Sequence, residues 1–411
     1  MDYTPGVKAA AQAAGPAARP GRAGAAGAPK PAVANVALAE VLDALTAPGT
    51  LCRNEGAAIR CLACGHRCLL APGRRGICKV RFNRAGELRV PFGYVAGTQC
   101  DPIEKKPFFH FCPGSDALTF GMLGCDYHCP YCQNWVSSQA LREPASSASI
   151  QRVTPEQLVG AGRRLGGRLL VSSYTEPLIT ADWAVAVFQR AKAAGLQCAF
   201  VSNGNATPEA LDFLAPWLAA CKIDLKGFDD RRYRTLGGVL EHVTASIRMV
   251  HERGIWLEVV TLLVPGFNDS EPELRRLAQF LRSVSPDIPW HVTAFHQDYK
   301  MTGPPNTTPA QLVRAAEIAT GEGLRFVYAG NAPGKVGCWE DTRCPGCGQR
   351  LIARCGFTVR EYNLTPAGQC PKCRTSIPGR WRSSADAHPP GGPGVGAGDR
   401  RPRSVGFAAF V

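Results

Sequence analysis

The 411-residue sequence contains no apolar run of the length, about eighteen residues or more, that a membrane-spanning helix needs. Its N-terminal end is rich in Ala, Gly and Pro but lacks the apolar core of a secretory signal. Acidic residues are also few, because 33 of them stand against 47 lysines and arginines, which gives a formal net charge of +14. The first two absences argue against a membrane protein and a secreted one, so we expect a cytoplasmic protein.

The excess of basic residues, taken alone, would suit a protein that binds nucleic acid. Part of it lies at the two ends, since residues 1–35 carry four basic and one acidic residue and residues 379–411 carry five and two. Residues 1–35 and 383–411 are of low complexity and cannot bury enough apolar surface to fold, so we predict that both segments are disordered. We therefore expect no nucleic-acid partner, although a basic cleft for an anionic substrate is compatible with the charge.

Eighteen cysteines are present, and their clustering is typical of metal binding in a reducing compartment rather than of disulfides. The central cluster is Cys125, Cys129 and Cys132, which follows the strand-like run of residues 117–120 at a C-x3-C-x2-C spacing. A zinc knuckle is one interpretation, but a structural zinc ion normally takes four protein ligands. Three thiolates on a four-iron cluster would instead leave one iron open to another molecule.

With Tyr131 directly before its last cysteine, this loop resembles the cluster loop of radical SAM enzymes, whose pattern is C-x3-C-x-aromatic-C. The resemblance implies a [4Fe-4S] cluster on Cys125, Cys129 and Cys132, with the fourth iron chelated by the amino and carboxylate groups of S-adenosylmethionine (SAM). It also implies reductive cleavage of SAM to a 5′-deoxyadenosyl radical, which abstracts hydrogen from a substrate. A reductant such as flavodoxin or ferredoxin would supply the electron.

Residues 113–335 alternate short apolar runs with amphipathic ones, giving seven predicted strands between residues 117 and 328 and six predicted helices between residues 155 and 322. Several helices begin with Thr or Ser before Pro or an acidic residue, which is N-cap chemistry. Such alternation predicts βα units around a parallel sheet, with the active site at the carboxyl ends of the strands. The radical SAM resemblance narrows this α/β fold to an open, partial (β/α)6 barrel.

A small cysteine-rich module is predicted at each end of this core. In residues 36–112 the cysteines have the spacing C-x2-C-x3-C-x9-C, and either zinc or an auxiliary iron–sulfur cluster would satisfy them: Cys61, Cys64, Cys68 and Cys78. In residues 336–382 two C-P-x-C knuckles predict a closed zinc ribbon on four thiolates: Cys344, Cys347, Cys370 and Cys373. We predict that both modules are stapled by metal.

Polar residues after the predicted strands resemble the SAM-binding elements of pyruvate formate-lyase activating enzyme and its relatives. The resemblance assigns SAM-binding roles to six residues: Glu176, Ser202, Asn203, Asp224, Lys226 and His296. The carboxylate of Glu176 would accept hydrogen bonds from the SAM ammonium group, and His296 would contact the ribose. The alternative for Glu176 is an ordinary residue at a helix N-terminus, and the alternative for His296 is a structural histidine.

Over residues 55–382 the chain resembles the radical SAM enzymes of the AmmeMemoRadiSam system. The resemblance rests on the N-terminal cysteines, the segment Ile103–Gly114, the cluster loop and the C-terminal knuckle. It implies a functional link to AMMECR1-like and Memo-like proteins but defines no substrate. Two alternatives are an activating enzyme of a glycyl-radical enzyme and, from a different class, a non-catalytic multi-zinc protein that binds nucleic acid.

Overall fold

A computed structural model describes residues 33–381 and 403–405. The disorder predicted for residues 1–32, and for nearly all of residues 383–411, lies outside the described residues. At Arg403–Ser404 the prediction is wrong, because these residues form a strand that pairs antiparallel with Gly97–Pro102. An edge strand presents unpaired N–H and C=O groups, and a further strand satisfies them. The first helix, Val33–Ala44, begins slightly before the predicted boundary at residue 36.

One nine-stranded sheet organises the fold. Seven of its strands are parallel and neighbour one another in chain order: β1 (Asp116–Gly121), β2 (Leu169–Ser172), β3 (Gln197–Ser202), β4 (Ala220–Asp224), β5 (Trp256–Leu263), β6 (Trp290–Ala294) and β7 (Val327–Gly330). Gly97–Pro102 lies antiparallel beside β1. In the part of the chain that the structure describes, the two end strands do not pair with each other, so the sheet is open. The α/β prediction is confirmed: the seven parallel strands correspond to the seven predicted ones, one more than the six-stranded barrel that the resemblance implies.

Helices connect the parallel strands: α1 (Pro155–Arg164), α2 (Ala181–Ala193), α3 (Pro208–Leu214), α4 (Asp230–Thr235), α5 (Leu240–Glu252), α6 (Glu271–Val284) and α7 (Pro309–Gly321). Short helices occupy Ile103–Lys105, Trp135–Ser138, Pro177–Thr180 and Gly337–Glu340. Thr154, Thr207 and Thr308 each cap a helix through the side-chain oxygen and precede its first proline. The six predicted helices are confirmed within three residues at each end. Across residues 33–381 and 403–405, no helix is both long and apolar enough to cross a bilayer.

The N-terminal module is built from short antiparallel strands: Thr46–Pro48, Cys52–Glu55, Ala58–Cys61, Leu69–Leu70, Phe82–Arg84 and Glu87–Pro91. A two-stranded ribbon, Tyr94–Val95 with Gln151–Arg152, follows it. Polar contacts hold the module against the barrel helices. The Arg67 guanidinium donates to both carboxylate oxygens of Glu209, at 2.9 and 2.6 Å, and Thr207 Oγ1 donates to the carbonyl of Leu62.

The C-terminal module is an antiparallel sheet of Thr342–Arg343, Arg350–Cys355 and Thr358–Tyr362. It packs on the segment Ile103–Gly114, whose backbone also contacts the main sheet. Glu258 on β5 accepts hydrogen bonds from the backbone N–H groups of Phe109 and His110, at 2.9 and 2.8 Å, and Arg354 donates to the carbonyl of Phe109 at 2.8 Å. The segment that links the N-terminal module to the core therefore also seats the C-terminal module.

Candidate active site

A cavity of about 880 Å³ lies where the parallel strands end. Its wall includes residues at or just after the carboxyl ends of most strands: the cluster loop after β1, residues 173–175 after β2, and residues 201–203 of β3 and its continuation. The carboxyl ends of parallel strands meet at one edge of a sheet, and functional side chains gather there. This cavity is therefore the candidate active site.

The cluster loop places the thiols of Cys125, Cys129 and Cys132 on this wall. Two glycines allow the loop to pack closely. A Cβ at Gly121 would lie 2.5 Å from the carbonyl oxygen of Ser173, and Gly124 has a φ of +97°, a conformation that side chains other than glycine rarely adopt. The loop therefore holds the three cysteines together at the end of β1, as the sequence predicts.

Polar groups surround the thiols of this loop. The backbone N–H of Tyr127 donates to Cys125 Sγ at 3.4 Å, and Ser138 Oγ lies 3.2 Å from Cys132 Sγ. Burial raises the pKa of Cys129 to about 12, so bare thiols here would stay protonated at neutral pH. A bound metal cluster would reverse that preference, since thiolates are the ligand form. The donor set fits an iron–sulfur cluster.

The C-terminal cysteines differ from those of the loop in their spacing. Cys344 Sγ lies 3.4 Å from Cys373 Sγ, and Cys347 Sγ lies 3.7 Å from Cys370 Sγ. Four thiolates at about 2.3 Å from one zinc ion would lie about 3.8 Å apart. All four sulfur atoms fall within 4.8 Å of one another, and no other set of three or more candidate ligands among the described residues does. This group can hold a tetrahedral metal ion.

Four of the six predicted SAM-binding residues line the cavity: Ser202, Asn203, Asp224 and Lys226. Asp224 lies between two lysines, with Lys222 Nζ at 2.6 Å from one carboxylate oxygen and Lys226 Nζ at 3.2 Å from the other. Desolvation opposes ionisation of this carboxylate, but the two lysines outweigh it and lower the pKa of Asp224 to about 2. The end of β4 therefore presents a fixed anion to the cavity at neutral pH.

Glu176 lies behind the cavity wall rather than on it. Its side chain is fully buried and accepts hydrogen bonds from the backbone N–H of Leu178 at 3.0 Å, from Ser202 Oγ at 2.8 Å and from the backbone N–H of Asn203 at 2.7 Å. Burial and the nearby charge of Asp126 raise the pKa of Glu176 to about 8. The capping alternative describes this geometry, and the contact with the SAM ammonium group stays a prediction.

His296 is exposed and lies outside the cavity lining, with Nδ1 3.2 Å from the carbonyl oxygen of Gln297. The strand β6 ends at Ala294, and the chain after it reaches the cluster loop a few residues on, where the backbone N–H of Lys300 donates to the carbonyl of Pro130 at 2.9 Å. The ribose contact of His296 stays a prediction.

Asp126, which the sequence did not single out, joins the cluster loop to the wall. Its two carboxylate oxygens accept hydrogen bonds from Asn203 Nδ2 at 2.7 Å and Asn205 Nδ2 at 2.8 Å. Nε2 of His66, from the N-terminal module, lies 4.0 Å from the same carboxylate. The carboxylate therefore fixes Asn203 in place and connects the loop to both neighbours.

The cavity wall carries a second polar group that sequence spacing could not reveal. Lys106 Nζ lies 3.1 Å from Asp101 Oδ2 and 3.4 Å from the hydroxyl of Tyr174, and burial lowers its pKa to about 8. His291 lines the same space, with Nε2 held 2.7 Å from Glu258. These residues come from distant parts of the chain, and the one available signal was the Lys-Lys pair inside the motif Ile103–Gly114.

Comparison with known proteins identifies similar sequences and structures. Residues 120–278 match the family model described as "Radical SAM superfamily". The chain is 35% identical over 322 residues to "Uncharacterized protein MJ0808" of Methanocaldococcus jannaschii, covering 78% of this chain and 95% of that protein. It is 26% identical over 197 residues to a pyruvate formate-lyase-activating enzyme of Staphylococcus epidermidis, covering 45% of this chain and 76% of that enzyme. A crystal structure of a radical SAM methyltransferase from Sphaerobacter thermophilus aligns with a TM-score of 0.42 at 16% identity, over 54% of this chain and 68% of that one.

The chain is a radical SAM enzyme. It belongs to the same family as the M. jannaschii protein, since the alignment spans nearly all of that relative. This outcome rules against the alternative of a non-catalytic multi-zinc protein that binds nucleic acid.

Proposed function

We propose that Cys125, Cys129 and Cys132 hold a [4Fe-4S] cluster, and that SAM binds beside it in the cavity. When bound, the cluster supplies one electron and SAM supplies the 5′-deoxyadenosyl radical that abstracts hydrogen from a substrate. The observation that carries this proposal is the meeting of the three thiols with Ser202, Asn203, Asp224 and Lys226 on one wall, within the segment that matches the radical SAM model.

The residues of this chain would bind, orient and shield. Tyr127 and Ser138 supply hydrogen-bond donors beside the thiolates of Cys125 and Cys132. The Asp224 carboxylate, flanked by two lysines, would take part in orienting SAM. The group of Lys106, Asp101 and Tyr174 would contact the substrate, since it lines the same cavity and is none of the residues assigned to SAM.

The substrate is unidentified, and the system to which this enzyme belongs is part of the proposal. The motifs described above support membership of the AmmeMemoRadiSam system and a functional link to AMMECR1-like and Memo-like proteins. A reductant such as flavodoxin or ferredoxin would supply electrons in the cytoplasm. The C-terminal cysteines would hold zinc, because their sulfur separations suit one tetrahedral ion.

Anaerobic reconstitution with iron, sulfide and SAM tests the proposal. Wild-type protein should absorb at about 400 nm, as iron–sulfur charge transfer does, and should release 5′-deoxyadenosine when reduced. Cys129→Ala should lose 5′-deoxyadenosine release, while Cys338→Ala, at an exposed cysteine far from the loop in sequence, should keep it. Retained SAM cleavage in Cys129→Ala would overturn the proposal.

A second candidate is an activating enzyme that leaves a radical on a backbone glycine of a protein partner. It is favoured by relatives named as activating enzymes, among them the S. epidermidis protein. The chain also matches an isethionate sulfite-lyase activating enzyme of Desulfovibrio desulfuricans at 26% identity, over 36% of this chain and about half (47%) of that enzyme. An EPR doublet on addition of a candidate partner would support this function. Its absence with every candidate, while isotope from a small molecule enters 5′-deoxyadenosine, would overturn it.

A further inference from the structure

The N-terminal cysteine cluster, defined as Cys61, Cys64, Cys68 and Cys78, lies in one part of the module, where the backbone N–H of Cys61 donates to the carbonyl of Cys68 at 2.9 Å. Electrostatic interactions connect the thiol of Cys61 to each of the other three. A Cβ at Gly76 would lie 3.6 Å from Cys68 Sγ and 3.7 Å from Cys78 Sγ, so a residue without a side chain sits beside both sulfurs. The backbone N–H of Ile77 donates to Cys68 Sγ at 3.5 Å. Together the four cysteines and the backbone of residues 76–77 form a candidate metal site.

The spacing of this cluster differs from that of the C-terminal cysteines. The sulfurs of Cys344, Cys347, Cys370 and Cys373 all lie within 4.8 Å of one another, whereas no three sulfurs of the N-terminal cysteine cluster do. The loop cysteines also fall outside this limit, as thiolates on separate irons of one cluster would. Thiolates around a multi-iron cluster lie farther apart than thiolates on one zinc ion, so the wider spacing favours iron.

Arg81 provides an independent observation that this site takes a ligand. Its side chain is 1% exposed and its Nη1 donates to the carbonyl of Ile179 at 3.1 Å and to Asp182 Oδ2 at 3.0 Å. Its Nε and Nη2 are buried and have no hydrogen-bond acceptor in residues 33–381 or 403–405. The guanidinium interacts electrostatically with Cys61 and Cys78. Buried donors without acceptors are costly, and the sulfides of an iron–sulfur cluster would accept from them.

The inner side of the module touches the cluster loop. Gly124, at the start of that loop, is so close that a Cβ there would lie 3.1 Å from the carbonyl oxygen of Cys78. His66 reaches toward Asp126, the residue after Cys125, and Asp126 interacts electrostatically with Cys64. The segments that carry the two sets of cysteines are thus in direct contact.

The outer side of the module is apolar and basic. Leu69 and Ile77, adjacent in sequence to Cys68 and Cys78, are among the exposed large hydrophobic residues, at 53% and 38%. Arg74 and Lys79, close to Ile77 in sequence, are exposed and cationic, whereas the exposed Arg84 faces the exposed Glu87 across a strand pair. An apolar patch with a basic rim suits an acidic protein partner, because complementary charge steers and orients the encounter.

We propose that the N-terminal cysteine cluster holds an iron–sulfur cluster, which takes one electron from an acidic electron-transfer protein docked over Leu69 and Ile77 and passes it to the cluster of the Cys125 loop. The donor is oxidised by one electron, the first cluster is reduced and reoxidised, the second is reduced, and no bond forms or breaks in the transfer. The relay rests on the proposed function, whereas the presence of iron at the N-terminal site does not.

Metal analysis of two complementary variants tests the site. A Cys125→Ala/Cys129→Ala/Cys132→Ala protein, purified anaerobically and reconstituted, should keep iron, sulfide and absorbance at about 400 nm. A Cys61→Ala/Cys64→Ala protein should keep the other cluster. Zinc without iron in the triple variant would overturn the N-terminal site and leave the proposed function intact. If the triple variant fails to fold, the wild-type count decides, because about eight irons per chain support two four-iron clusters and about four with two zincs oppose them.

The ratio of two SAM-cleavage rates tests the relay. One rate is driven by reduced flavodoxin or ferredoxin and the other by dithionite, a small reductant that needs no docking surface. In Arg74→Glu/Lys79→Glu the ratio should fall about tenfold, because charge complementarity is reversed. In Arg163→Glu/Arg164→Glu, a matched pair of exposed arginines on α1, the ratio should not change. An unchanged ratio in the first variant would overturn the relay.

Discussion

The two cysteine modules share the C-x2-C spacing in sequence but differ in how they are built. The C-terminal module brings its four sulfurs within one ion's reach at the edge of a small antiparallel sheet, with Cys373 exposed. The N-terminal module holds its thiols farther apart, mostly buried, beside the buried cation Arg81. Sequence spacing predicts a metal site in both modules, whereas the kind of metal that fits depends on the backbone between the cysteines. The comparison is open to four tests, from the largest expected effect to the smallest.

Removal of one C-terminal thiolate should have the largest effect. Cys370→Ser should lose zinc and reduce the stability of the C-terminal module by more than about 4 kcal/mol, because a structural metal ion contributes directly to folding. Zinc content and thermal unfolding measure this. Cys355→Ser, at an exposed cysteine in the same module but outside the quartet, is the control and should keep its zinc. Full zinc content in Cys370→Ser would show that the four C-terminal cysteines do not form one zinc site.

Loss of the buried cation should come next. The Arg81 guanidinium lies 3.0 Å from the Asp182 carboxylate, and the two side chains are only 1% and 7% exposed. Arg81→Met would therefore leave a buried carboxylate without its cation. Breaking a buried ion pair by removing one partner typically costs about 3–5 kcal/mol, and we expect about 3 kcal/mol in the free energy of unfolding. Chemical denaturation measures it. A change below about 1 kcal/mol would mean that the N-terminal module does not depend on this charge.

Substitution of Glu176 tests whether its buried carboxylate supports the fold or binds the ammonium group of SAM. Glu176→Ala should keep the cluster and lose about 2 kcal/mol of stability, because the donors of Leu178, Ser202 and Asn203 lose their acceptor. Glu176→Gln should lose less, since an amide oxygen still accepts. Thermal unfolding and SAM affinity are measured on both variants. Weaker SAM binding at unchanged stability would instead support the predicted ammonium contact.

The smallest effect is expected at an exposed ion pair of the C-terminal module. Arg350 Nη2 lies 2.9 Å from Glu361 Oε1, but the side chains are 45% and 49% exposed. Solvent screens such a pair, so Arg350→Met should change stability by less than about 0.5 kcal/mol. Thermal unfolding beside Arg81→Met gives the contrast. Similar losses of stability in Arg350→Met and Arg81→Met would show that burial of the ion pair does not determine its contribution to stability.

Much of the fold follows from local sequence. Thr-Pro pairs at residues 154–155, 207–208 and 308–309 start three helices, and the apolar runs between helices become parallel strands. The loop cysteines and the strand-end residues Ser202, Asn203, Asp224 and Lys226 were predicted and line one cavity. Strand-end position alone is thus a strong guide in a parallel sheet, because it fixes which edge a side chain occupies.

The remaining features depend on contacts between distant segments. Glu176 has the expected position in sequence, but its carboxylate accepts hydrogen bonds from Ser202 and Asn203 at the end of β3. These bonds hold it behind the cavity wall. Lys106 and His291 reach the cavity from a linker and from the middle of a strand, where spacing gives no signal. The difference in sulfur separation between the two modules is likewise a property of three-dimensional packing.

The hairpin of the C-terminal module contributes Cys355, Gly356, Phe357 and Thr358 to the cavity wall. Its turn is the pair Gly356–Phe357, far in sequence from the cluster loop, and Phe357 is 41% exposed. A change in this turn would alter the shape offered to a substrate without touching the residues proposed to generate the radical. Descendants of one ancestral enzyme could thus acquire different substrates by drift in a two-residue turn, while the radical-generating half of the molecule stays under unchanged selection.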